Sequence, residues 1–412
     1  MQSRSSDLDE FFSHEVQSYP PSLSDFGKLH LPSNKSDLLK CLEITDTADR
    51  PQIYDCKVLD GAAIVHSLST SGMVTFDEFA DKVFILHIER HLQACRRVDL
   101  VWDSNIPHSL KNSTREKRGK GLRRKVSGHV KLPGNWKDFL RDENNKEELF
   151  RFLTGKVSQV ACPPGKVMYI TSGSSVVSIT TEVVMGDCNQ EEADTRMMVH
   201  VLHALNHGCV TVAVRTVDTD VVVILLGTLH HFLAAQPSAK IRVEFGMGKN
   251  YREFDINNLS DNLGMDKSHA LPVFHALTGC DTTSALKGKG KLSAWQAWQA
   301  YSDVTDALIR LADNLFQLID EESDDFRSIE QFVVILYDRT SVSSSINEIR
   351  KDHFCKRKIS MERLPPTQNA LLQHVKRAIY QTGIWTTSTL TNQPLPSPSD
   401  FGWIKESQAW AP

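Results

Sequence analysis

The stretch Glu191–Asp220, EEADTRMMVHVLHALNHGCVTVAVRTVDTD, decides how this chain folds. An acidic pair opens a helix, a short apolar strand follows, and a second acidic pair stands just past the strand's end. In an α/β sheet the carboxyl ends of the strands face the crevice where ligands bind, which turns Asp218 and Asp220 toward a site. The helix beginning near Gln190 is acidic in its first turn, so Glu192 and Asp194 can reach the same crevice. Two converging acid pairs repel by several kcal/mol at an effective dielectric of roughly 20 unless a cation sits among them. Mg²⁺ or Mn²⁺, hard ions that take oxygen ligands, answer that need most simply. The plainer alternative is a pair of ordinary element ends, where Asp and Glu are common caps.

Upstream, the same pattern recurs. YDCKVL (residues 54–59) reads as a buried strand ending in Asp60-Gly61, with AAIVHSL helical behind it. TFDEFADKVFILHIERHLQACR (75–96) has apolar residues at helical spacing and a Thr75/Glu78 capping box. VDLVWD (98–103) is again an apolar strand stopped by Asp103. Strands alternating with helices predict an α/β fold with a mostly parallel central sheet flanked by helices. Acids at three strand ends then crowd one edge of it.

After Asp103 comes a basic run, SLKNSTREKRGKGLRRKVSGHVK, with Lys111, Arg115, Lys117, Arg118, Lys120, Arg123, Arg124, Lys125 and Lys131 against Glu116. Such a run is commonly a solvated surface segment. Here it leaves from the strand that carries Asp103, so it overhangs the acids as a phosphodiester substrate would require. Residues 136–153 read as a helix, 167–183 as a hairpin turning at Gly173, and 240–256 as another around Gly246 and Gly248. HALPVFHALTGCDTTSALKGKGK (269–291) adds Asp281, then Gly288, Lys289, Gly290 and Lys291 ahead of a helix, a place where backbone N–H groups can approach phosphate. A plain loop between helices accounts for the same glycines.

The set Asp60, Asp103, Glu192 with Asp194, Asp218 with Asp220, and Asp281 resembles, in this order, the seven-acid signature of the flap endonuclease group of PIN-like 5′ nucleases. VLDGAAIVHSL is similar to that family's first aspartate segment, and VDLVWDSNIPHSLKNSTREKRG to its second, with a Pro and a basic arch after the aspartate. EEADTR is similar to its Glu-x-Glu helix start with Asp in the second place, TVDTD to its Asp-x-Asp strand end, and LTGCDTTSALKGKGK to its Gly-x-Asp and duplex-gripping Gly-x-Gly hairpin. The resemblance covers residues 58–291. The HALTGCDTTSA block also looks like uncharacterised groups associated with mobile elements.

The resemblance implies a nuclease, cleaving DNA or alternatively RNA with two Mg²⁺ or Mn²⁺ ions. Asp60, Asp103, Glu192 and Asp194 would hold the ion that activates water, and Asp218, Asp220 and Asp281 a second that stabilises the leaving oxygen. Lys111, Arg115 and Arg118 would be the arch cations at the scissile phosphate. Lys117, Arg123 and Arg124 would add to nucleic-acid binding, and Gly288 to Lys291 would clamp the duplex. The chain departs from the family in the long segment before Asp60, in its two hairpins, which stand as insertions, and in a C-terminal region without a match. An inactive nucleic-acid-binding or protein-interaction module on the same fold is the alternative, and a phosphohydrolase of small substrates a third.

The expected division is a loose N-terminal arm (1–50), a nuclease domain (51–300) with an arch-like segment (104–135) and a phosphate-gripping loop (282–291), a helical accessory region (301–385) and an irregular tail (386–412). With 40% hydrophobic residues and a net charge of -4, a sizeable core is expected and no global basic signature for nucleic acid. Eight cysteines without a CxxC pair predict reduced thiols in an intracellular, nuclear or cytoplasmic, protein. No apolar run approaches a membrane span. His200, His203 and His207 share a helix face and suggest partly buried structure ahead of a metal site. Trp295 and Trp298 suggest core or interface ahead of base stacking.

Overall fold

The computed structural model describes residues 8–42, 53–104, 106, 109–111, 121–181, 183–357, 359–406 and 409–412. Seven strands rich in Val, Ile and Leu form one sheet: β1 (Tyr54–Asp60), β2 (Cys95–Val101), β3 (Val167–Ser172), β4 (Ser175–Ile179), β5 (Thr211–Thr216), β6 (Lys240–Phe245) and β7 (Arg252–Asp255). Their order across the sheet is β4-β3-β2-β1-β5-β6-β7. The five inner strands are parallel, while β4 and β7 close the two edges antiparallel. This is the α/β class expected, with helices on both faces.

The chain grows outward from β1 through β2 to β3, then returns to place β5 on the other side of β1. Connections that leave neighbouring strands in opposite directions open a crevice at the strands' carboxyl ends. That crevice lies beyond β1 and β5. The two hairpins expected as insertions belong to the sheet, because each supplies one parallel strand (β3, β6) and one antiparallel edge.

Five helices position the crevice: α1 (Gly61–Ser67), α2 (Ala193–Asn206), α3 (Thr219–Ala235), α4 (Met265–Leu277) and α5 (Gln368–Thr386). Val221, Val222, Val223 and Ile224 in α3 are fully buried, so its β-branched run is held helical by packing on all sides. At Gly227 a side chain would strike the ring of Pro272, which explains how closely α3 and α4 approach. On the other face of the sheet Phe76, Phe79, Phe84, Trp102 and Phe139 form a second core. Half of the expected capping box forms, Thr75 Oγ1 accepting from Glu78 N at 3.2 Å, while the Glu78 carboxylate accepts from Val74 N, one residue ahead of the cap, at 2.7 Å.

The N-terminal segment differs from the loose arm expected. Over residues 8–42 it is ordered, with Phe12, Leu23, Leu29, Leu38, Leu39 and Leu42 buried. Backbone groups tie it down: Ala285 N donates to His30 O at 2.6 Å and Lys287 N to Ser22 O at 2.9 Å. Glu15 accepts from Arg350 and from Thr367 N, both at 2.9 Å. The C-terminal helices are likewise continuous with the main core, where Leu371, Val375 and Ile379 of α5 join Phe274 and Leu277 of α4. Even the tail contributes buried Phe401 and Trp403 and a short antiparallel pair, Ile404–Glu406 with Ala409–Ala411. Apolar residues too sparse to show a period in sequence are enough when each finds a pocket in a neighbour.

Gly61, directly after Asp60, lies so close to the Trp102 ring that a Cβ would overlap it. Gly61→Ala is therefore expected to lower stability by about 1–3 kcal/mol through overpacking. Urea unfolding reads this as a lower midpoint with unchanged slope, and an unchanged midpoint contradicts the close fit.

Candidate metal centre

Strand ends and helix starts coincide at this edge of the sheet. Asp60 is the last residue of β1 and the N-cap of α1, its Oδ1 accepting from Ala63 N at 2.9 Å. Asp218 follows β5 and caps α3, with Oδ1 accepting from Asp220 N at 2.9 Å. Asp103, beyond β2, accepts from Ala193 N at 2.8 Å and so caps α2 from a different strand. Asp194 lies in the first turn of α2. Asp281 sits in the turn after α4, where Gly279 takes φ +101° and a Cβ would press on Ala285. The ordinary capping role and the convergent role thus fall on the same carboxylates. Helix N-termini carry partial positive charge, which offsets part of their repulsion.

The acids lie within reach of one another. Asp194, Asp218 and Asp220 can each turn one carboxylate oxygen so that all lie within 4.8 Å of one another. Two unit charges at that separation repel by about 3.5 kcal/mol at an effective dielectric near 20, enough to hold protons on. Burial and the neighbouring Asp103 and Asp218 push Asp60 up to about 7, against the helping Ala63 N–H. Burial, then Asp218, raises Asp194 well above the carboxylate range, and burial with Asp220 raises Asp218. Such a set of oxygen donors fits a hard divalent ion and suits softer metals poorly.

Two residues that the sequence did not single out complete the centre. Lys35, from the N-terminal segment, places its Nζ 2.7 Å from Asp218 Oδ1, 3.2 Å from Asp281 Oδ1 and 3.3 Å from Asp220 Oδ1. Burial alone would lower its pKa, but Asp220, Asp218 and Asp281 hold it well above the usual lysine value. His275 of α4 is fully buried, with Nε2 2.9 Å from Asp220 Oδ1. Burial, then Lys291 and Lys35, holds the ring neutral, so Nε2–H donates to the carboxylate and orients it. No local pattern in LPSNKSDLL marks Lys35; the block HALPVFHALTGCD does place His275 six residues before Asp281.

The expected cations divide. Lys111 is half-buried and forms an ion pair with Glu192, at the entrance to α2. Arg115, Lys117 and Arg118 lie outside the described residues. Arg123 is exposed and pairs with Glu148 and, at 2.9 Å, with Asn145 Oδ1 on the helix Glu143–Val157. Arg124 is exposed. Of the loop before the helix Lys291–Ala300, Gly288 and Gly290 are exposed, but Lys289 lies 4.7 Å from the centre of the Tyr337 ring. Lys291 turns inward instead of toward solvent, donating to His275 O at 2.7 Å and Thr278 Oγ1 at 2.8 Å, and burial lowers it to about 7. A buried ammonium with protein partners cannot grip a duplex.

The remaining candidates are structural. His200 Nδ1 lies 2.7 Å from Asp99 Oδ2, a buried carboxylate that also takes two bonds from Arg97 at 2.6 Å. His203 contacts Arg97 and His207 the carbonyl of His203. Trp295 and Trp298 are buried against Phe274, with Trp298 Nε1 donating to Thr305 Oγ1 at 2.9 Å. Two clefts border the acids. One of about 530 Å³ runs past Asp103 and Arg151, and one of about 210 Å³ past Lys111, Glu192, Thr282 and Gln381. Among the described residues no helix is long and apolar enough to cross a membrane.

No protein-family model and no curated protein matches the chain. Solved structures do. The chain is similar to the T5 D15 protein co-crystallised with metal ions, at 12% identity and a TM-score of 0.38 over 81% of this chain and 97% of that one. It is similar to the bacteriophage T5 D15 flap endonuclease in a pseudo-enzyme-product complex with DNA and metal ions, at 10% identity and 0.37 over 81% and 97%. It is also similar to the catalytic core of Rad2 in complex with DNA substrate, at 15% identity and 0.36 over 79% and 86%. All three likenesses are distant.

Proposed function

We propose that the chain is a metal-dependent phosphodiesterase acting on nucleic acid, DNA before RNA. The observation that carries this reading is the meeting of carboxylates from residues 60, 103, 194, 218, 220 and 281 at one edge of the sheet, with three able to offer oxygens to one ion. A divalent ion held there would lower the pKa of an attacking water and polarise the phosphoryl oxygen. Asp194, Asp218 and Asp220 would hold it, His275 keeps Asp220 turned inward, and Lys111 stands at the rim where a phosphate would enter. The choice of nucleic acid rests on the seven-acid resemblance and the basic segment after Asp103.

Lys35 favours a second reading, an inactive nucleic-acid-binding module, since an internal ammonium relieves the acids without any metal. Labelled single-stranded, flap, hairpin and duplex substrates incubated with Mg²⁺, Mn²⁺ or EDTA separate the two. The nuclease cuts with the ions and stops with EDTA, and Asp218→Ala lowers the rate by at least ~100-fold, more than the loss typical for an outer partner. Cutting that survives Asp218→Ala removes the mechanism; binding without cutting selects the module.

Two further outcomes follow from the carboxylates' environment. His275→Gln is expected to weaken Mn²⁺ binding by ~10–100-fold, the usual loss when a ligand's orienting partner is removed, measured by calorimetry. Because burial and neighbouring acids raise Asp60 to about 7 and push Asp194 up, ion binding is expected to displace protons. Affinity for Mn²⁺ should rise from pH 6 to pH 8 with proton release. An affinity that is flat across this range contradicts the raised values.

A further inference from the structure

The carboxylates of Asp218, Asp220 and Asp281 are the set that a two-ion arrangement would give to its second ion, and Lys35 already contacts all three. Nζ also lies 2.9 Å from Asp218 Oδ2, so it spans both oxygens of that carboxylate. Asp194 offers the remaining oxygen of the metal-sized triad with Asp218 and Asp220. Mg²⁺ sits about 2.1 Å from its ligands. A second ion drawing on Asp218, Asp220 and Asp281 would compete with the ammonium for the same three carboxylates.

Lys35 is delivered by braced chain. Before it, the carbonyls of Ser22 and His30 accept from Lys287 and Ala285, just past Asp281. After it, the helix Asp37–Leu42 buries Leu38, Leu39 and Leu42 in the main core. Anchors on both sides make this a fixed placement, and the lysine is paired with residues 183 and 246 positions away.

We propose that the centre takes one divalent ion, held by Asp194 with Asp218 and Asp220, and that the Lys35 ammonium is its resident second cation on the Asp281 side. This rests on the metal-dependent reading above. An ammonium whose N–H groups are taken up by three carboxylates still brings a fixed positive charge to the centre and needs no ligand exchange. Lys35 thus limits how many ions the pocket accepts.

Counting bound Mn²⁺ by the loss of the free-ion paramagnetic resonance signal tests this on the full chain. One ion per chain is expected for the unaltered protein and for Lys35→Arg, and two for Lys35→Met, with a spin-coupled spectrum appearing in Lys35→Met alone. Two ions in the unaltered protein overturn the proposal and leave the metal-dependent reading intact. One ion in both the unaltered protein and a folded Lys35→Met also overturns it. No ion in any form removes the metal-dependent reading and this inference together. The count on the unaltered protein decides even if Lys35→Met fails to fold.

Discussion

Mutual repulsion among carboxylates gathered at one sheet edge is the constraint that the rest of the structure answers. Three local devices meet it. Asp60, Asp103 and Asp218 each accept from a backbone N–H at a helix N-terminus, so three helices aim their positive ends into the crevice. Asp60, Asp194 and Asp218 have raised pKa values, so protons can remove charge when no cation is near. Lys35 supplies a charge of the opposite sign. Each device lowers the repulsion by the protein's own groups.

Much of the chain beyond the sheet bears on that pocket. α4 supplies His275 and leads into the Asp281 turn, and α5 closes over it, where Gln381 accepts from Thr282 and Trp385 stacks beside His275. Gln190, just ahead of α2, donates to the carbonyls of Ser388 and Leu390, so the C-terminal tail steadies the approach to Glu192 and Asp194. The N-terminal segment reaches the pocket alongside the Asp281 turn, bonded to Ala285 and Lys287. Regions whose sequence suggests appendages are therefore walls of the site.

What was legible in the sequence was whatever local order encodes. Asp60, Asp103 and Asp218 each follow an apolar strand, and parallel strands point their ends one way, so convergence could be read without coordinates. Lys35 could not, because its partners lie far along the chain and LPSNKSDLL has no period of its own. His275 reads as one polar residue in an apolar helix until Asp220 is set beside it. GKGK suggested two outward lysines, but side-chain direction at the start of a helix depends on what packs beneath, and here a carbonyl and a hydroxyl draw Lys291 in. The same holds for Arg123, whose partner Glu148 lies 25 positions away.

The bonds from Glu15 to Arg350 and Thr367 span 335 and 352 residues. During synthesis the early segment emerges from the ribosome long before the residues that fasten it exist. A nascent chain can lay down its sheet and seat Lys35 once residues 281–287 are made, yet the segment lacks its Glu15 anchor until residues 350 and 367 follow. Full fastening of the early segment is thereby tied to synthesis through Thr367, and a product terminated before that residue would carry the acids and Lys35 without the Glu15 anchor.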